Sequence, residues 1–323
     1  MSAAGARIGV ISNPASGHNR DHLPAIQSAL AACDAVAAHA VTRCPADIPS
    51  ALEKLASLSI DTLVINGGDG SVSAVLGELL QSSEFPQLPL IAVLPAGTAN
   101  MTAGDIGVCG NLRAAVSRLC HWTTQPATLR GANERRKRRL LRLEMNGAIH
   151  HGMFLGGGAI INGTDYAHRR IHARGVRDDA SLALTTLRTV WGLLRKDPAF
   201  SAGVQVSLSI DNAPAQEHDA LILALSTLQR LSFGMRPFWG AGDGPLQLTL
   251  VERDCRYFLP NFISIIRGSP GRGARPDRGY RSINASEMRM NIAGPINLDG
   301  ELLDPKGPLR ITASSPMEFL RLR

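Results

Sequence analysis

The stretch LVINGGDGSVSAVLGELL, residues 63–80, decides the fold. Leu63, Val64 and Ile65 form a short apolar run without charge, the composition of a strand buried on both faces of a parallel sheet. Gly67-Gly68-Asp69-Gly70 then turn the chain, and glycine at that density allows backbone angles and close approaches that side chains forbid. Ser71 reads as an N-cap. Val72, Val75, Leu76, Leu79 and Leu80 follow at helical spacing, so the stretch predicts strand, glycine turn, helix. Such a turn aims several N–H groups and the positive end of a helix at one point, where phosphate is the natural guest. Asp69 inside it would repel an anion unless a magnesium ion or a proton-transfer role accounts for it. The spacing is neither the Walker pattern nor the GxGxxG dinucleotide fingerprint.

The same rhythm extends to both sides. Residues 7–12 (RIGVIS) read as a first strand ending in Asn13-Pro14-Ala15-Ser16-Gly17, a turn whose residues each have their own turn chemistry. Residues 23–33 read as a helix, 35–42 as a second strand, and Ile48, Leu52, Leu55 and Leu58 as the stripe of the next helix. A fourth strand, 90–94, ends in Pro95-Ala96-Gly97-Thr98-Ala99-Asn100, and a helix is expected over 112–122. This alternation implies a doubly wound parallel sheet, with ligands at the C-terminal ends of its strands. All three polar loops fall at those ends.

From about Thr124 strand-like runs crowd together: 140–145, 151–155, 204–210, 220–225, 246–251, 287–293 and 309–313. They predict a mostly antiparallel, β-rich second domain, with helices over 180–194 and 257–266. The expected organisation is an α/β nucleotide-binding domain over 1–123 and a β-rich domain over 124–323, with residues 317–322 able to return to the first.

A chain of 323 residues with 44% hydrophobic content can bury two cores, but only 4% is aromatic, so packing must rest on Ala, Leu, Val and Ile. The net charge of +7 draws the surface to something anionic, whether nucleotide, acidic lipid or nucleic acid. Few aromatics accompany the arginines and no recognised nucleic-acid module appears, which argues against nucleic acid. Five cysteines without metal-ligand spacing support neither a disulfide framework nor a zinc site and suit a reducing cytosol. The uncharged windows at 85–104 and 145–164 are broken by proline, glycine and histidine and do not read as membrane spans.

Asn13-Pro14 with Ser16-Gly17, Gly67-Gly68-Asp69-Gly70-Ser71, Gly97-Thr98 with Asn100, and Asp299-Gly300-Glu301 together resemble the diacylglycerol kinase catalytic-domain family of bacterial lipid kinases. Sphingosine kinases and, more distantly, NAD kinases are its relatives. The resemblance implies ATP-dependent phosphorylation of a lipid hydroxyl, with magnesium, by a cytoplasmic enzyme working at the membrane surface. It places Asn13, Ser16, Gly17, Thr42, Gly67, Gly68, Asp69, Gly70, Ser71, Val72, Ser73, Gly97, Thr98 and Asn100 around the nucleotide. Asp299 matches the family's general base, with Glu301 beside it; Asp69 is the rival base, as in the sphingosine-kinase branch. Ala241-Gly242-Asp243-Gly244-Pro245 resembles the family's magnesium loop, with Asp243 as side-chain ligand and the carbonyls of Gly240 and Pro245 as backbone ligands. Taken as bare sequence, Asp-Gly at 299 and at 243 also reads as a hairpin turn.

Two departures stand out. Ala74 and Met101 occupy positions where the family has acids, and Glu78 or Asp105, each about one helical turn later, could substitute. The run Arg135, Arg136, Lys137, Arg138, Arg139 and Arg142 is the densest basic cluster, read as a solvated loop or a patch for anionic headgroups. Arg267, Arg272, Arg275, Arg278 and Arg281 form a second cluster in a Gly- and Pro-rich segment. An NAD-kinase-like enzyme and a catalytically weak lipid- or nucleotide-binding protein are the alternatives. The acceptor lipid and the oligomeric state, a homodimer included, are left open.

Overall fold

The computed structural model describes residues 6–108, 110–126, 130, 135–161 and 203–322. The helix expected over 180–194 lies outside them. The chain divides into two units, Met1–Arg138 with Pro316–Arg323, and Arg139–Ser315.

In the first unit β1 (Ile8–Ser12), α1 (Asn19–Ala31), β2 (Val36–Val41), α2 (Ile48–Ser57), β3 (Thr62–Gly67), α3 (Asp69–Gln81) and β4 (Leu90–Pro95) alternate. Then come α4 (Met101–Ile106), α5 (Leu112–Thr124), β5 (Arg135–Arg138) and, much later in the chain, β17 (Met317–Leu320). The sheet runs β2-β1-β3-β4-β17-β5, parallel except that β5 lies antiparallel to β17. The two-residue period of the strands explains the double winding. Ile8, Val10, Val64, Ala92 and Leu94 pack with Ile26 and Leu30 of α1 and Leu112, Val116 and Leu119 of α5 on one face. Gly9 points to the other face, where a Cβ would meet the Leu55 and Ile60 side chains at 2.8 and 2.7 Å.

The first unit extends past the expected boundary at 123 because β17 recruits residues 135–138 as an edge strand. The basic run is therefore not a loop. Arg138 makes an ion pair with Asp105 in which the two side chains are only 11% and 1% exposed, and Arg135 pairs with Glu318 at 2.8 Å. Arg142, in β6 (Leu141–Met145), pairs with Glu144. The short helix α4 was also missed by the sequence pattern, which has no apolar stripe there.

The second unit continues with β7 (Ala148–Gly152), β8 (Phe154–Gly158), β9 (Val204–Ile210), β10 (Gln216–Ser226), β11 (Leu246–Glu252), α6 (Phe258–Ile266), β12 (Tyr280–Ala285), β13 (Glu287–Ile292), β14 (Ile296–Leu298), β15 (Glu301–Leu303) and β16 (Leu309–Ala313). They form one 11-stranded sheet with antiparallel pairings throughout, ordered β15-β14-β8-β10-β9-β13-β16-β6-β7, with β11 joining β10 to β12. Strand β10 can serve β9, β8 and β11 because it is 11 residues long: residues 216–220 face β9, and 222–226 lie between β8 and β11. The inward residues Leu143, Leu155, Val206, Leu223, Leu248, Met288 and Ile311 make its core. No helix among the described residues is long and apolar enough to cross a membrane.

Candidate active site

Three loops meet at the C-terminal ends of β1, β3 and β4. After β1, the Asn13 side chain closes its own turn by accepting the Ala15 N–H at 2.8 Å and donates to the Ser71 hydroxyl at 2.8 Å. Ser16 Oγ accepts the Gly68 N–H at 3.2 Å. Helix α3 begins at Asp69 with Gly68 as its N-cap, so Ser71 is not the cap the sequence suggested. It lies in the first turn, where its hydroxyl joins Asn13 and Ser16. The opening amides of α3 have no acceptor within the helix, the condition that makes a helix start an anion site.

The glycines are set by contact. A Cβ on Gly67 would lie 2.6 Å from the Ser71 Cβ, and one on Gly97 would lie 2.4 Å from the Gly68 Cα. The turns after β3 and β4 thus touch backbone to backbone. Asn100, in the left-handed region at φ 45°, pins the second turn: its Oδ1 accepts the Gly97 N–H at 2.8 Å and its Nδ2 donates to the Gly97 carbonyl at 2.6 Å. Gly97→Ala should lower stability by about 1–3 kcal/mol, the usual cost of overpacking where the neighbour is backbone. It should also weaken nucleotide binding; denaturant midpoints and a nucleotide titration check both.

A cavity of about 390 Å³ opens between these turns and the end of β2. Of the residues expected around a nucleotide, Asn13, Ser16, Thr42, Gly68, Gly70 and Ser71 line it. Ala74 and Val75 form part of its apolar wall, and Arg43 stands at it, unanticipated. Val72 and Ser73 do not belong with this group: both are buried on the inner side of α3, and the Val72 amide bonds the Gly68 carbonyl at 3.0 Å. Gly67, Gly97 and Asn100 shape the turns rather than line the cavity. Gly17 and Thr98 lie in the same loops without lining it.

Asp69 is buried, and both carboxylate oxygens are engaged: Oδ2 accepts the Met101 N–H at 3.0 Å and Oδ1 the Thr102 N–H at 2.9 Å. Its charge is answered by the first amides of α4, a partner the sequence did not reveal. Asp105 does not stand in for a missing acid, because it is the buried partner of Arg138.

Beneath the loops runs a polar network that the sequence reading passed over. Asn66 Nδ2 donates to the Ser12 hydroxyl at 2.9 Å, and Ser12 in turn meets His39 Nε2 at 2.7 Å. Burial pushes the His39 pKa down, which favours the neutral ring able to accept that hydroxyl. Asn19 Nδ2 ties the carbonyls of Asn13 and Asn66 together at 2.8 and 3.1 Å. Asn66 is among the residues around the cavity, and its Oδ1 is buried without a hydrogen-bond partner. The one clue was an asparagine placed directly before the glycine pair.

In the second unit, Asp299 and Gly300 form the two-residue turn between β14 and β15, with φ of 49° and 98°. Positive φ at both positions is the signature of a type I′ hairpin, so the plain-turn reading holds. The carboxylate is nonetheless directed: Oδ2 accepts the Met153 N–H at 2.7 Å and Oδ1 the Phe154 N–H at 2.9 Å. Unlike Asp69, Asp299 is partly exposed. Glu301 is exposed and sits opposite Leu298 in the hairpin register.

The loop at 240–245 lies flat on β12, where Asn284 donates to the carbonyls of Gly240 and Gly242 at 3.1 and 3.2 Å. Asp243 is exposed. No group of three or more metal-ligating side chains occurs among the described residues. One carboxylate beside carbonyls that each keep a second lone pair suits magnesium retaining most of its waters, not an ion caged by protein.

Residues 7–130 match the model of the diacylglycerol kinase catalytic domain. No curated protein matches the chain. Among solved structures, a candidate diacylglycerol kinase of Bacillus anthracis is similar at 16% identity and a TM-score of 0.67, covering 99% of this chain and 98% of that one. A diacylglycerol kinase of the same bacterium follows at 17% identity and a TM-score of 0.63, with the same coverage. Yeast NADH kinase with bound NADH is more distant, at 10% identity and a TM-score of 0.45, covering 99% of this chain and 84% of that one. At such identities the structures speak for the fold alone, and what the sequence shows is the match of residues 7–130 to the diacylglycerol kinase catalytic domain.

Proposed function

We propose that the protein is an ATP-dependent lipid kinase that transfers the γ-phosphate to a lipid hydroxyl, that of diacylglycerol or a related lipid. The observation that carries the reading is the cavity at the start of α3, walled by Asn13, Ser16, Gly68 and Ser71. The opening amides of α3 suit phosphate. Thr42 and the apolar wall at Ala74 and Val75 complete a pocket of ordinary ligand size.

Asp299 is the general base in this reading. Each of the two candidate acids accepts two backbone amides, and of the two Asp299 is the more accessible. Asp243, with the carbonyls of Gly240 and Pro245, would hold magnesium, which when bound supplies positive charge to the loop. The acceptor arrives from a membrane, to which the basic protein docks peripherally.

The test is turnover with labelled ATP and magnesium, offered a mixed lipid extract and NAD together. Label in the organic phase is the expected result. Label in NADP, or in neither product, would overturn the proposal.

A further inference from the structure

Helix α6 breaks the usual pattern of a surface helix. Its inner face, Asn261 and Ile265, is buried against Val251 and Tyr280. The opposite face should be polar. Instead Leu259, Phe262, Ile263 and Ile266 recur there at i, i+3, i+4 and i+7, and the helix, FLPNFISII, contains no charged residue. Leu259 and Ile263 are 41% and 43% exposed, and Tyr257, just before the helix, is 65% exposed.

A second apolar group stands beside it. Phe233 is 63% exposed on a tight loop and adopts φ 55°, a region that bulky residues avoid. The loop is closed by Leu231 N–H to Met235 O at 2.8 Å, and fastened to the end of α6 by Arg236 N–H to Ile266 O at 2.9 Å. An aromatic ring held outward in a strained backbone is not a packing residue.

The surroundings are predominantly basic. Residues 255–276 contain Arg256, Arg267, Arg272 and Arg275, and 229–242 contain Arg230 and Arg236; the acids that border these stretches are Asp243, Asp254 and Asp277, the last paired with Arg275 at 3.2 Å. Arg278 lies over the Tyr257 ring at 5.7 Å. An apolar helix face with an arginine-rich fringe matches a surface with an anionic outer layer above hydrocarbon.

We propose that α6 and the Phe233 loop are the element that docks this protein on an anionic lipid surface, the helix lying in the plane of the headgroups with Leu259, Ile263, Tyr257 and Phe233 inserted. The inference rests on the lipid-kinase reading for its purpose but not for its test. The arginine cluster of β5 is not part of the device, since Arg135 and Arg138 are committed to ion pairs.

The experiment uses the full chain and a Phe233→Asn/Leu259→Gln/Ile263→Gln variant, chosen because asparagine tolerates φ above zero and glutamine is a good helix former. Flotation is measured with vesicles of phosphatidylcholine alone and of phosphatidylcholine mixed with phosphatidylglycerol, at low and high salt. The wild type should bind the mixed vesicles in a salt-sensitive manner, and the variant should bind them at least roughly tenfold more weakly, with an unchanged melting temperature. Equal binding by wild type and variant, or equal binding of the wild type to both vesicles, would overturn the proposal. So would a dimer that the variant splits, which would make the face a contact between copies. Phosphorylation of a detergent-dispersed short-chain diacylglycerol separates this from the function. Turnover with no effect of the variant on flotation sinks the docking face alone; flotation lost in the variant without any labelled lipid supports the face and sinks the kinase.

Discussion

Asp299→Asn should lower turnover by roughly 10²- to 10⁴-fold, the usual worth of a general base, while leaving the apparent affinity for ATP nearly unchanged. The substitution suits the turn, although it replaces one of the two acceptors for the Met153 and Phe154 amides with an N–H donor, so about 1–3 kcal/mol of stability should go with it. Asparagine is at home at φ 49° and Asn-Gly is the favoured pair for a type I′ turn, so β14 and β15 should keep their register. Asp69→Asn should carry a similar loss of stability, since it replaces one of two acceptors for the α4 amides with an N–H donor, but should leave turnover of the folded enzyme largely intact. Steady-state kinetics and denaturant unfolding on both variants decide the assignment. If Asp299→Asn turns over like the wild type while Asp69→Asn is stable and dead, the base is Asp69.

Arg138→Met should cost about 3–5 kcal/mol, because it removes the guanidinium paired with the Asp105 carboxylate, which is only 1% exposed. Asp105→Asn in the same chain should recover much of that loss, since a buried charge that has lost this guanidinium is what is expensive. Urea unfolding of the single and double variants is the check. A loss near zero for Arg138→Met, with vesicle binding reduced instead, would restore the reading of this run as a headgroup patch.

What could be seen in the sequence was whatever is encoded within a dozen residues. The passage from Leu63 to the helix of Val72 and Leu76 is local, and so are the turn residues around Asn13 and Asn100; the architecture followed from their order. What could not be seen depends on partners far along the chain. Arg135–Arg138 has no β propensity of its own and becomes a strand only because Met317–Leu320 supplies an edge. Asp69 looked like a catalytic or magnesium-binding acid because its hydrogen-bond partners, Met101 and Thr102, are 32 and 33 residues away and are backbone amides, which leave no mark in the sequence. Val72 and Ser73 adjoin the glycine turn in sequence, whereas a helix beginning at Asp69 turns both of them inward. Asn284 escaped for the same reason: its role is to hold carbonyls 44 and 42 residues upstream.

The position of β17 has a consequence for biogenesis. Residues 316–322 leave the ribosome only after all of Arg139–Ser315 has emerged. Until then the nascent first unit presents the flank of β4 with its hydrogen-bonding groups open, and the four basic residues of β5 have nothing to zip against. An unpaired parallel flank is an invitation to association with other chains, and the repulsion among those four cations is well placed to discourage it during synthesis.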